Sequence, residues 1–316
     1  MSKKLYYLLF VLSTYFVTSY TFGQGKLPSY FKENEKFSAS LKKIIKDAGL
    51  DSTYNVGEDG TEQISFAVID LNGKKPVFGG VNYSNFIYPA SLYKIYVAME
   101  VLKQISEGKH SLNDMYIVHS PNDVDKSREI SFDPRPLLKD QDTVTLNYLL
   151  DLMITRSDNS AANCLIDVAR RENINNTIRL NGWAGSEVTR KFLKRKYEDP
   201  GYDTIRGTET NALHAADFMY KVFTNQLINP WVSMQLKALL GRQLDGTKIS
   251  TGLPTSAMFF HKTGWWSNYT DDVGIVENRN EKYIIALFIP LLEEVAKSKF
   301  EVVSKRVWEL MESRAY

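Results

Sequence analysis

The chain has 316 residues, 43% hydrophobic and 24% charged, a globular composition with enough apolar side chains for one large or two smaller cores. It carries 39 lysines and arginines against 37 acidic residues; setting aside Lys3 and Lys4 of a basic leader gives 37 against 37, which leaves no electrostatic footprint for a nucleic-acid partner. A single cysteine, Cys164, excludes an intrachain disulfide, and the four histidines lie too far apart for metal-ligand spacing, so no metal or other cofactor is implied.

Lys3 and Lys4 precede an apolar run from Leu5 to Val17, and Thr21-Phe22-Gly23 follows with small residues two apart. Residues 1–23 therefore read as a secretory signal peptide, which implies export across the inner membrane to a periplasmic destination. From Pro28 to Ala48 the apolar residues Phe31, Phe37, Leu41, Ile44 and Ile45 recur at helical spacing, and Gly49 closes the run. Gln63 to Asp70 and Pro76 to Val81 flank an Asn-Gly pair, Asn72-Gly73, and predict two antiparallel strands. Ser91 to Ile105 reads as a buried helix, apolar on several faces.

Between Ser111 and Ser250 the pattern is helix and loop, with helices around Thr145–Thr155, Ser160–Arg171, Asn211–Phe223 and Trp231–Leu240 and no convincing strand. Strands return at Met258–Lys262, Val273–Asn278 and Lys282–Ile289, before a last helix over Glu293–Glu312. This order predicts an α/β fold: an antiparallel sheet from both ends of the chain (24–88 and 251–316), flanked by terminal helices, with an all-helical lobe (89–250) inserted and a cleft at the junction.

Three short words fall at that junction: Ser91-Leu92-Tyr93-Lys94, Ser157-Asp158-Asn159 and Lys262-Thr263-Gly264. Ser91 and Lys94 share one helix face, where a lysine deprived of its charge can take the proton of the serine hydroxyl. The same spacing occurs at Ser29–Lys32, Ser40–Lys43 and Ser106–Lys109, and alone it also fits a capping serine beside an exposed lysine. Ser157 can relay a proton toward a leaving group and Asn159 can offer its amide to substrate and to Lys94, with Asp158 structural; a plain helix start fits the same three residues. Lys262 and Thr263 can hold a substrate carboxylate, Gly264 lets a substrate backbone approach the strand edge, and the N–H groups of Ser91 and Trp265 can form an oxyanion hole. An edge-strand lysine entering a turn is the structural alternative.

On these words the chain resembles the serine β-lactamases and penicillin-binding proteins, and class A β-lactamases most closely. The gaps (157 − 91 = 66 and 262 − 157 = 105 residues) and the segments Phe86–Tyr88, Asn163–Ile166 and Thr208–Ala212 extend the likeness over most of the chain. The resemblance implies a β-lactamase-like fold and an active-site serine hydrolase acting on a β-lactam or an acyl peptide through an acyl-serine. One departure matters. The family's loop glutamate and the asparagine four residues later, which hold the water that frees the acylated serine, fall on Arg195 and Asp199 when Val188-Thr189-Arg190 is taken as the lead-in. Glu198 is the candidate deacylation base and Glu187 the other nearby acid, in a segment made basic by Lys191, Lys194, Arg195 and Lys196. Trp265-Trp266 also replaces the smaller residues that usually follow the third word. The readings left by this pattern are a class A-type β-lactamase, a penicillin-binding-protein-like D,D-peptidase or other acyl hydrolase that turns over β-lactams slowly, and a non-catalytic relative.

Overall fold

A computed structural model describes residues 26–119, 122–124, 133–192 and 204–316; the signal segment lies outside them. Its centre is a six-stranded sheet. In chain order the strands are β1 (Lys32–Glu33), β4 (Ser65–Asp70), β5 (Val77–Val81), β8 (Met258–Trp266), β9 (Tyr269–Glu277) and β10 (Lys282–Ile289), arranged β1-β5-β4-β10-β9-β8. All neighbours are antiparallel except β1 and β5. Two small hairpins stand apart, β2 (Tyr54–Gly57) with β3 (Gly60–Glu62) and β6 (Met115–Ile117) with β7 (Thr143–Thr145).

The alternation of side chains along a strand divides the core. Phe66, Val68, Val276, Tyr283, Ile285, Leu287 and Ile289 meet α1 (Glu35–Asp47) and α8 (Glu293–Ser313) on one face. Their neighbours Ala67, Ile69, Val273, Ile275, Ile284, Ala286 and Phe288 join the helices inserted between β5 and β8: α2 (Lys94–Ser106), α3 (Leu146–Thr155), α4 (Asn159–Ala169), α5 (Arg171–Leu180), α6 (Ala212–Phe223) and α7 (Pro230–Leu240). α2 runs through the middle of this second core, so even its Glu100 and Gln104 are buried; Glu100 accepts from Gln104 Nε2 at 2.8 Å and from Thr177 Oγ1 at 2.5 Å.

Several expectations are corrected by local physics. The first helix begins at Glu35 rather than Pro28 because Lys32–Glu33 pairs with β5 and Asn34 caps the helix, its side chain accepting from Phe37 N at 3.1 Å. Ser91 sits not in the α-helix but on a 3₁₀ turn, Ala90–Tyr93, that leads into α2. The helical insertion does contain strands, the three-residue β6 and β7, too short to show alternation. β8 continues past the third word to Trp266, closing on β9 through Ser267-Asn268.

His214 on α6 is 4% exposed, and its Nδ1 lies 2.8 Å from Ser186 Oγ, which continues to Thr210 Oγ1 and Tyr96 Oη in two further contacts of 2.8 Å. Burial pushes its imidazole down to about 4. The unfolded chain therefore takes up this proton first as pH falls, and stability drops between roughly pH 6.5 and 4, by about 3 kcal/mol once both states are past titration. Melting curves over that window should show a steeper acid loss for the wild type than for His214→Gln, the difference isolating this residue from the carboxylates; parallel curves would remove His214 from the acid sensitivity.

Candidate functional site

The three words converge where the 3₁₀ turn, the α3–α4 junction and β8 meet. Lys94 is 0% exposed and its Nζ stands 3.1 Å from Ser91 Oγ, 2.6 Å from Ser157 O, 3.2 Å from Ser157 Oγ and 2.7 Å from Asn159 Oδ1. From the opposite side Lys262, also 0% exposed, donates to Ser157 Oγ at 2.9 Å and to Thr263 O at 2.8 Å. Two buried lysines thus share one serine oxygen. Ser157 Oγ faces two nitrogens, which leaves its own hydrogen to point elsewhere.

Both short turns are held in a conformation that side chains avoid. Ala90, just before Ser91, has φ +45°, and Ser157 has φ +60°, at about 1 kcal/mol each relative to ordinary backbone. Burial of Ala90 and the Lys94 bond to the Ser157 carbonyl keep them there. Asp158 is the N-cap of α4, accepting from Ala161 N at 2.8 Å, and it is pinned by the buried Arg156 Nη2 at 2.8 Å. Arg156 also donates to the carbonyls of Arg135 and Pro136, so the second word is fastened to the segment that leads into β7.

Gly264 stands opposite Asp271 in the β8–β9 ladder. A Cβ on it would lie 2.5 Å from Pro89 O and 3.1 Å from Leu92 N. The demand on this glycine therefore comes from the 3₁₀ turn that carries Ser91, packed against β8, in addition to the substrate approach read from the sequence. β8 is the last strand of the sheet, so one edge of it is not used by a ladder. Thr263 and Trp265 alternate away from Lys262 and Gly264; Thr263 is 2% and Trp265 40% exposed.

Phe192 is a component that sequence reasoning missed. Its ring stacks on Tyr93 at 4.7 Å and 9°, and Lys94 Nζ lies 4.2 Å from its centre. Asn163 on α4 clamps it with two backbone bonds, Phe192 N to Oδ1 at 2.9 Å and Nδ2 to Phe192 O at 3.2 Å. The one sequence hint was Asn163 itself, a polar residue inside the apolar run Ala161–Ile166, and it does not point to Phe192. Glu198, Arg195 and Asp199 lie outside the described residues. Glu187, the other nearby acid, is ion-paired with Arg206. Cys164 is buried in α4 and its thiol is pushed up to about 12, chiefly by burial, which makes it a packing residue. Among the described residues no cluster of three or more metal-ligating side chains occurs and no helix is long and apolar enough to cross a membrane.

Structures of known proteins share this fold. A β-lactamase from Sphaerobacter thermophilus superposes with a TM-score of 0.71 at 17% identity, covering 87% of this chain and 98% of its own. PBP-A, in a mutant form solved as an acyl-enzyme complex with penicillin G, gives 0.73 at 18% identity over 91% and 100%. An ancestral class A β-lactamase, GNCA, gives 0.69 at 18% over 86% and 99%. No curated protein sequence matches. Residues 40–309, most of the chain and all three words, match the Beta-lactamase enzyme family, and the protein belongs to that family, within the serine β-lactamase and penicillin-binding-protein superfamily.

Proposed function

We propose that the protein is an exported, periplasmic serine hydrolase of the class A β-lactamase type, which opens β-lactam rings through an acyl-serine on Ser91. The observation that carries this reading is the contact chain Ser91 Oγ–Lys94 Nζ–Ser157 Oγ–Lys262 Nζ, at 3.1, 3.2 and 2.9 Å. Two ammonium groups that share one oxygen in a dry site repel, and a neutral Lys94 relieves that repulsion. The geometry is compatible with that state: a neutral amine can donate to the carbonyl oxygens of Ser157 and Asn159 and turn its lone pair toward the Ser91 hydroxyl.

In this mechanism the Ser91 Oγ–carbonyl bond forms while the hydroxyl proton passes to Lys94. The Phe192 ring favours the ammonium that results. As the lactam C–N bond breaks, the proton moves through Ser157 Oγ to the departing nitrogen, and Lys94 returns to the neutral form. Lys262 and Thr263 hold the substrate carboxylate, and the N–H groups of Ser91 and Trp265 receive the oxyanion.

A second reading, a penicillin-binding-protein-like D,D-peptidase or other acyl hydrolase that β-lactams trap, is favoured by Arg195 at the family's glutamate position. Purified mature protein mixed with a chromogenic cephalosporin and, in parallel, a fluorescent penicillin separates the two. Fast colour development is expected; a persistent fluorescent adduct with little colour supports the second reading, and no signal with either probe would sink both. If Glu198 frees the acylated serine, Glu198→Gln slows adduct breakdown by about 10²-fold or more; an unchanged rate removes Glu198 from the mechanism.

A further inference from the structure

Behind the nucleophile lies an acid that this mechanism does not use. Asp271 on β9 is 0% exposed, and it is the only carboxyl group among the described residues with both oxygens buried and without a hydrogen-bond partner. Its neighbour Asp272 points to the opposite face of the sheet and is fully served, accepting from Ile249 N at 3.1 Å and sharing a hydrogen with His261 Nδ1 at 2.8 Å. The contrast isolates Asp271 as a group retained without local compensation.

Its position explains the retention. The point where Gly264 would carry a Cβ lies 3.2 Å from Asp271 Oδ2, 2.5 Å from Pro89 O and 3.1 Å from Leu92 N. The carboxyl, the bare glycine and the backbone on either side of Ser91 therefore enclose one small volume under the nucleophile. Burial drives the Asp271 carboxyl toward its protonated form, and the charge of Asp272 adds to that. Lys248 opposes, but its ammonium is already bound by Asp245 at 2.6 Å and Glu293 at 2.9 Å.

We propose that Asp271 is a positioning residue for Ser91: its carboxyl is the spacer on which the Pro89–Leu92 turn rests, and it sets the distance between the Ser91 and Trp265 N–H groups across Gly264. A polar group buried without a partner weakens the fold, so its presence trades stability for placement of the turn. The inference rests on Ser91 being the acylated residue.

The test compares Asp271→Ala and Asp271→Asn with the wild type in the mature protein, reading the acylation rate at saturating fluorescent penicillin, the apparent affinity for it, and the thermal midpoint. Asp271→Ala is expected to slow acylation by about tenfold or more, with the affinity little changed, because a turn displaced by a fraction of an ångström loses alignment rather than binding. Its thermal midpoint is expected to hold or rise. Asp271→Asn, uncharged and of the same shape, is expected to restore the rate. Wild-type-like acylation in Asp271→Ala, a midpoint that falls with the rate, or an Asn variant as slow as Ala would each overturn the proposal. A wild type that the probe does not label instead fails the acyl-serine reading itself.

Discussion

Ser91→Ala is expected to abolish the covalent penicillin adduct and to lower cephalosporin hydrolysis by about 10³-fold or more, leaving only what binding and oxyanion stabilisation supply. The fold should survive. Ser91 is 6% exposed on a turn whose other residues are buried apolar side chains, and Lys94 keeps its bonds to Ser157 O and Asn159 Oδ1 when the hydroxyl goes. The stability change is therefore about 1 kcal/mol or less. Mass spectrometry of the protein after exposure to penicillin, together with a thermal melt, checks both halves. An adduct of undiminished yield in the variant would place the nucleophile elsewhere.

What the sequence made legible follows from where periodicity is strong. α1, α6 and α7 announce themselves through apolar spacing, whereas the asparagine caps that start them in the structure, Asn34, Asn211 and Asn229, do not enter that spacing, and so the expected first helix begins too early, at Pro28. β10 shows as an unbroken apolar run because both of its faces are covered. The β2–β3 hairpin escaped because it is polar and mostly exposed, and three or four residues carry no period. α5 escaped because it begins at once after α4, the break being a single residue, Arg170 at φ +65°, which no composition signal marks.

The site divides along the same line. Motif spacing placed Ser91, Lys94, Ser157 and Lys262 near one junction, yet their contacts join residues 63 and 105 positions apart. That Lys94 and Lys262 meet at one oxygen is a product of how β8 packs on the 3₁₀ turn. The left-handed backbone at Ala90 and Ser157 was invisible because neither position is a glycine. Phe192 and Asp271 belong to no motif: one acts through a ring face and the other through the absence of partners, and both properties exist only after folding.

The second large effect falls on Lys94. Lys94→Ala removes the proton acceptor and also the donor to two carbonyl oxygens, Ser157 O and Asn159 Oδ1, that now accept from it at 2.6 and 2.7 Å. Acylation is expected to fall by about 10³-fold, and loss of the two hydrogen bonds to lower stability by about 1–3 kcal/mol, offset in part by relief of a buried amine. Loss of the Ser157 O contact also loosens the φ +60° backbone that aims Ser157, so rate and stability should drop together. Two further measurements separate proton transfer from simple tethering. The space vacated by the side chain should admit a small primary amine, and acylation should recover in proportion to the concentration of its free base, rising with pH. Lys94→Arg retains donors to both carbonyls but has no lone pair to receive a proton, so it should stay inactive without such rescue. Recovery by the ammonium form, or activity in the arginine variant, would mean that Lys94 works as a charge that holds Ser157 and Asn159, and the proton of Ser91 would have to leave by another route.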